Sequence, residues 1–253
     1  NGGASTNDVT GVGLTPGQIH VTPVAQDFGV ISTGTTSQRV FTVTNSGGTT
    51  VSNGTAVTTG APFTIVAGSP FNLSGGATAN VVVQFAPVAV GAFTGNVLFA
   101  SANGGASTNA VTGSGAIMPV ASFTATPTNG AVPLVVTFTD TSTGTITNRF
   151  WNFGDGATTN TLATTVGHTY TLAGTNSVQL RASGPLGTST NTQANLIVAV
   201  NPPHLVATPA NRNFGAITIG LTNTLTFAVA NTGDLPLTGT ATVGAPFGIV
   251  SGS

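Results

Sequence analysis

Residues 1–13 read NGGASTNDVTGVG and residues 103–115 read NGGASTNAVTGSG, so one segment is used twice. A longer repeat overlaps it. VTPVAQDFG (21–29) returns as ATPANRNFG (207–215), FTVTNSG (41–47) as FAVANTG (227–233), and GAPFTIVAGS (60–69) as GAPFGIVSGS (244–253). Self-similarity in a fixed order is the mark of a repeat architecture and sets the domain count. Residues 18–115 make one complete unit. Residues 1–13 match its last strand, and residues 204–253 match roughly its first half. The expectation is a window on a longer tandem array, with both ends inside a domain.

The hydrophobic period is two. Val81, Val83 and Phe85, then Phe93, Val97 and Phe99, then Phe41 and Val43, fall on alternate positions. This is the pattern of half-buried strands. Turn signals at Asn45-Ser46-Gly47, Asn53-Gly54 and Pro70 punctuate it, and no capped run of helical spacing interrupts it. The fold class expected is all-β: tandem immunoglobulin-like β-sandwiches, arranged as beads on a string.

Composition narrows the function. Of 253 residues only 4% are charged, against about 25% in an ordinary soluble domain. All four basic residues are Arg and all five acids are Asp; Lys, Glu and Cys are absent. Four scattered Arg supply no basic patch for nucleic acid. Thiolate chemistry, disulfides, Schiff-base lysines, lysine–asparagine cross-links and acid–base pairs containing Glu are excluded. Low charge does not mean disorder here, because hydrophobic residues reach 40% with 14 Phe, and 48 Thr favour strands. No apolar run approaches the roughly 18 residues of a membrane span, so no membrane insertion is expected within the segment.

The middle of the chain has a sequence of its own. FWNFGDG (150–156) is followed by GHTYTLAGT (167–175). The two motifs, in this order and spacing, resemble the PKD (polycystic-kidney-disease-type) domain over about 116–200, with Asn152 standing where the family's usual motif has Asp. The motif residues are Trp151, Phe153, Gly154, Asp155, Gly156, His168 and Tyr170. The outer repeat resembles the hydin-type (choice-of-anchor-D-type) immunoglobulin-like domain of large bacterial surface proteins, on DFG (27–29), FTVTNSG (41–47), VVVQFAP (81–87) and GAFTGNVLF (91–99). The domain expectation is the last strand of a preceding Ig-like domain at 1–14, a complete one at 15–115, a PKD-type sandwich at 116–200, and the first half of a further Ig-like domain at 201–253. Gly113–Pro119 and Val200–Pro203 read as the linkers. The resemblances imply non-catalytic spacers, adhesion modules or assembly modules.

Each candidate for chemistry has a structural counterpart. His168 is either a ligand or base, or a hydrogen-bonded brace near a strand start with Tyr170 at a sandwich corner; the brace is the expectation. Asp140 and Asp155 are the carboxylates a calcium site would draw on, but calcium wants several oxygen ligands and Asn152 replaces a third carboxylate. Asp155 is otherwise a cap of the Gly154–Gly156 turn. Trp151 reads as core rather than as a sugar platform. His20 and His204 lack nearby ligands in sequence. Asn53-Gly54-Thr55 and Asn72-Leu73-Ser74 are glycosylation triplets of the kind that a Thr- and Asn-rich chain contains by chance. No nucleophile elbow or phosphate loop is present. Neither catalytic residues nor a cofactor are expected.

The surface left after burial should be neutral: Thr, Ser, Asn, Ala and Gly. Sheet edges normally avoid pairing by carrying Lys or other charges, and a net charge of −1 gives little self-repulsion. The expectation is a non-catalytic structural segment of a long extracellular or cell-surface protein that associates with copies of itself into a filament, sheath or surface layer, through neutral domain–domain packing and β-edge contacts. The alternatives are an adhesin stalk, a polymer- or glycan-binding accessory region of a secreted enzyme, and a phage fibre or decoration protein. Residues 204–253 alone would expose Phe214, Phe227, Val229 and Phe247. Continuation of the same chain is the expected cover, and a neighbour's 1–13 strand the alternative.

Overall fold

The structure, a computed structural model, describes residues 1–252, and every regular element among them is a strand. The first sandwich contains β1 (Ile19–Thr22), β2 (Ala25–Ser32), β3 (Ser37–Asn45), β4 (Val51–Thr59), β5 (Phe63–Ala67), β6 (Phe71–Leu73), β7 (Thr78–Phe85), β8 (Gly91–Ala100) and β9 (Ala106–Ala116). A four-stranded sheet in the order β1-β3-β7-β5 faces a five-stranded sheet in the order β2-β9-β8-β4-β6. Alternation decides which residues point inward. Phe41 and Val43 of β3 and Val81, Val83 and Phe85 of β7 meet Val97 and Phe99 of β8 and Val111 of β9, all buried. Burying each such side chain contributes about 1.5–3 kcal/mol. The Phe63 and Phe85 rings stack at 4.9 Å between centroids, and Phe41 meets Phe99 edge-on at 5.7 Å.

One polar side chain lies inside this apolar layer. Asn45, fully buried, accepts through Oδ1 from the backbone N–H groups of Gln18 and Gly47, and donates through Nδ2 to the carbonyls of Thr49 and Leu73. All four hydrogen-bonding capacities of the amide are used, which makes its burial tolerable. Gly47 permits the corner: a Cβ there would run into the Pro16 carbonyl.

The seam after this sandwich lies later than the glycines imply. β9 runs through Ala116, so Gly113–Ala116 is strand rather than linker. A Cβ on Gly113 would press on the Phe85 ring, and one on Gly115 would meet the Ala89 carbonyl. These glycines make room for close packing instead of loosening the chain.

The second sandwich contains β10 (Phe123–Thr126), β11 (Asn129–Ala131), β12 (Leu134–Asp140), β13 (Asn148–Asn152), β14 (Thr158–Thr161), β15 (Thr165–Tyr170), β16 (Gly174–Gly184) and β17 (Gly187–Val200). Its sheets run β10-β12-β15 and β11-β17-β16-β13-β14. Trp151, Tyr170, Phe138, Leu180 and Ile197 fill the core. Trp151 meets Phe123 edge-on at 5.1 Å.

Residues 201–252 hold a two-stranded antiparallel sheet, β18 (Leu205–Thr208) with β19 (Ala228–Asn231). Asn231 repeats the Asn45 corner. Its Oδ1 accepts from the N–H groups of His204 and Gly233, and its Nδ2 donates to the Leu235 carbonyl. Phe227, Val229 and Phe247 are 48%, 66% and 53% exposed. Residues 1–13 form no strand. Val9 is 94% exposed, whereas its repeat counterpart Val111 is fully buried in β9.

The surface is poor in charge but richer in aliphatics than the sequence expectation of a hydroxyl and amide skin. Val24, Val57, Val88, Val90, Val135 and Leu172 are all exposed. Val57 and Val135 face outward because strand alternation sends every second residue to solvent, whereas Val24, Val88, Val90 and Leu172 lie in the turns between strands.

Candidate functional site

The most chemistry-bearing cluster of the second sandwich lies on the turn after β13. Asn152 Oδ1 accepts from the Gly154 N–H, and Asp155 Oδ1 accepts from the Ala157 N–H, giving two successive side-chain-closed turns. The Phe153 N–H donates to the Ala157 carbonyl. Gly154 and Gly156 have φ of 87° and 96°, which L side chains rarely adopt. At Gly154 the backbone also passes so close to Ser177 that a Cβ would clash.

β15 brings His168 and Tyr170 to this turn. His168 Nε2 lies 2.7 Å from Asp155 Oδ2. The His168 ring stacks on Phe153, and Tyr170 meets His168 edge-on at 4.8 Å. The Tyr170 hydroxyl donates to the Phe153 carbonyl at 2.9 Å. Burial, reinforced by the nearby Asp155 charge, pushes the Tyr170 phenol far above its ordinary range. Burial alone would raise the Asp155 carboxyl as well, but hydrogen bonds from His168 and the Ala157 N–H together hold it below its ordinary value.

The structure does not bring Asp140 and Asp155 together on a common partner. Asp140, at the end of β12, accepts from the Ser142 N–H and pairs with Arg149 Nε. Arg149 Nη1 in turn donates to the Leu162 carbonyl. Burial works against the Asp140 charge, and the hydrogen bonds from Ser142 and Arg149 outweigh it, so its pKa is lowered. Each carboxylate therefore has its own partner, Arg149 for Asp140 and His168 for Asp155, and among the described residues no group of three or more His, Asp, Glu or Cys side chains is arranged for a metal. Trp151 is fully buried and offers no face to a sugar.

The other two histidines sit elsewhere. His20 lies within β1, and His204 Nδ1 is 2.8 Å from the Thr232 hydroxyl. A His–Asp pair is part of hydrolytic machinery only when a nucleophile stands against the imidazole. Among the described residues, no serine or threonine hydroxyl is hydrogen-bonded to His168. What the cluster does is tie β15, in the three-stranded sheet, to the β13–β14 turn of the five-stranded one. The sequence marks Asn45 only as part of a turn and does not single out Arg149. The repeat of Asn-x-Gly at 45–47 and 231–233 carried the signal for Asn45.

The PKD domain family matches residues 117–199. The HYDIN/CFA65/VesB-like Ig-like domain family matches residues 17–116. The chain carries a PKD domain preceded by a HYDIN/VesB-like Ig-like domain. Among solved structures, the N-terminal four Ig domains of Dscam1 isoform 6.9 are similar at 11% identity and a TM-score of 0.47, over 76% of this chain and 47% of that one. The Ig1–Ig2 pair of DIP-gamma is similar at 8% identity and a TM-score of 0.39, over 72% and 97%. The PapD-like domain 7 of human CEP192 is similar at 14% identity and a TM-score of 0.30, over 45% and 94%. The chain thus spans about half the length of the Dscam1 structures it matches. No curated protein matches it. PKD and Ig-like domains are generally non-catalytic and typical of extracellular proteins. Among the described residues, no helix is long and apolar enough to cross a membrane.

Proposed function

We propose that this tandem PKD and HYDIN/VesB-like segment is a non-catalytic structural stretch of a long extracellular repeat protein, which associates with copies of itself into a filament, sheath or surface layer. The observation that carries the reading is the outer face of the PKD domain's three-stranded sheet. Its registers line up Thr124, Thr139 and Thr165 in one row, and Thr126, Thr137 and Gly167 in the next. Val135 and Thr169 complete it, and no residue of the face is charged. The four-stranded sheet of the Ig-like domain is similar, with Thr42 bonded to Asn80 and Gln38 to Gln84 across its outer face.

Such faces shed little charge solvation when two of them meet. One face of three short strands covers only roughly 300 Å² by strand spacing, well under the ~800 Å² per partner of a stable interface. A single contact of this size does not hold two proteins together, whereas a chain of many such domains sums the contacts. Residues 201–253 are read as the opening half of a further Ig-like domain, on the repeated Asn231 corner. Electron microscopy of the purified protein at high concentration tests the proposal. Regular filaments or sheets with a domain-scale repeat support it. A monodisperse species that instead binds a polysaccharide supports the adhesin or accessory reading.

A further inference from the structure

The Ig-like domain carries two glycosylation triplets, Asn53-Gly54-Thr55 and Asn72-Leu73-Ser74. Serine and threonine make up about a quarter of this chain, yet of its 21 asparagines only these two are followed at the second position by either. Far apart in sequence, the two meet in the fold. The Asn53 backbone N–H donates to Asn72 Oδ1 at 2.8 Å. Both asparagines, and Thr55 and Ser74 with them, are exposed.

The local backbone explains how they are presented. β4 pairs with β6 at Val51–Leu73 and Gly54–Phe71, with a bulge between. Asn53 sits in that bulge at φ 51°, a left-handed conformation that Asn tolerates better than most residues. Gly54 then lets Phe71 pack against the backbone, since a Cβ there would strike the ring. The bulge turns Asn53 outward, and its side chain makes no hydrogen bond among the described residues. Among the described residues Asn72 hydrogen-bonds through its oxygen alone, and its amide nitrogen has no partner.

The position matters for the sheet. β6 is one edge of the order β2-β9-β8-β4-β6. The other edge, β2, is guarded by the charge of Asp27 and by a register shift between Asp27 and Val30. β6 has no charge, and the chain has no Lys to give it one.

We propose that Asn53 and Asn72 are paired N-glycan acceptors, and that their glycans close the β6 edge against strand addition. In the transfer, the asparagine Nδ2 bonds to C1 of a sugar carried on a lipid pyrophosphate. The C1–O bond to the pyrophosphate breaks, the lipid pyrophosphate leaves with the electron pair, and the displaced amide proton goes to a base of the transferase. The inference rests on the extracellular reading above, because the transfer occurs along a secretory route.

The test expresses the full 253-residue chain behind a secretion signal in a eukaryotic host that supplies the lipid-linked oligosaccharide. Peptide mass mapping is done on the membrane-enclosed and secreted pools alike. The expected result is glycan mass on the peptides holding Asn53 and Asn72, lost one site at a time in N53Q and N72Q. The N53Q/N72Q double variant should self-associate several-fold faster by light scattering. Unmodified asparagines in both pools overturn the acceptor assignment, and an unchanged association rate overturns the edge role. Whether the glycosylated protein forms filaments is scored separately and tests only the assembly reading.

Discussion

The His168 imidazole lies flat on the Phe153 ring, with centroids 4.1 Å apart and planes 4° from parallel. Its Nε2 reaches Asp155, and the Tyr170 hydroxyl holds the carbonyl of the same Phe153. One turn is thus clasped by two residues of the opposite sheet, through a ring stack and two hydrogen bonds. His168→Ala should lower the unfolding free energy of the PKD domain by about 1–2 kcal/mol. Tyr170→Phe should cost about 1 kcal/mol, because it leaves the buried carbonyl without its donor. Urea unfolding followed by the fluorescence of Trp151, the only Trp of the chain, reads the PKD domain selectively.

Acid should loosen this same domain. Asp140 and Asp155 both have folded-state pKa values below the ordinary 3.8. A lowered carboxyl pKa means the folded state holds fewer protons than the unfolded state. The stabilisation is fully present above about pH 5 and is lost as pH falls through 3.8 toward the folded values. The Trp151 thermal midpoint should therefore be steady from pH 5 to 7 with respect to these carboxyls and fall below pH 4. In D140N and D155N the acid slope should shrink, and a slope unchanged in both variants contradicts the assignment.

Trp151 Nε1 is a buried donor with no hydrogen-bond partner among the described residues. Losing an unsatisfied donor offsets part of the packing lost on truncation. Trp151→Phe should accordingly cost no more than about 2 kcal/mol, while Trp151→Leu, which also loses the aromatic contacts with Phe123 and Phe138, should cost about 3 kcal/mol or more. Calorimetry on both variants decides it, and equal losses would mean that the unsatisfied indole donor offsets nothing.

Asn45→Ala should cost the Ig-like domain about 3 kcal/mol, since it strands two N–H groups and two carbonyls at one corner. The equivalent Asn231→Ala, at an exposed position, should cost under about 1 kcal/mol. Chemical denaturation of the two variants side by side makes the comparison.

That contrast also shows what the sequence exposes and what it hides. Alternation at Phe41, Val43, Val81, Val83, Val97 and Phe99 announced the strands and their inward faces, because a period of two has only one structural meaning. The motif spacing from Trp151 to His168 announced the PKD domain. The Asn45 corner was visible only as a repeated triplet, since its four partners lie up to 28 residues away and become neighbours only after the sheet forms. The sequence offers Asp140 to calcium, whereas Arg149, nine residues on, takes its carboxylate. Pairing between side chains on different strands depends on register, which local pattern does not fix. Gly113 and Gly115 read as part of a linker for the same reason: whether a glycine loosens or tightens a segment depends on what packs over its missing Cβ.

The proposed association of these domains runs through neutral surfaces. Sedimentation and electron microscopy of assembled protein between 0.05 and 1 M NaCl test it most directly. Contacts without ion pairs have little for salt to screen, so the assembled fraction and the filament or sheet morphology should hold or rise slightly across the range. Dissolution of the assemblies at moderate salt, or the absence of any assembly at every salt concentration, would contradict it.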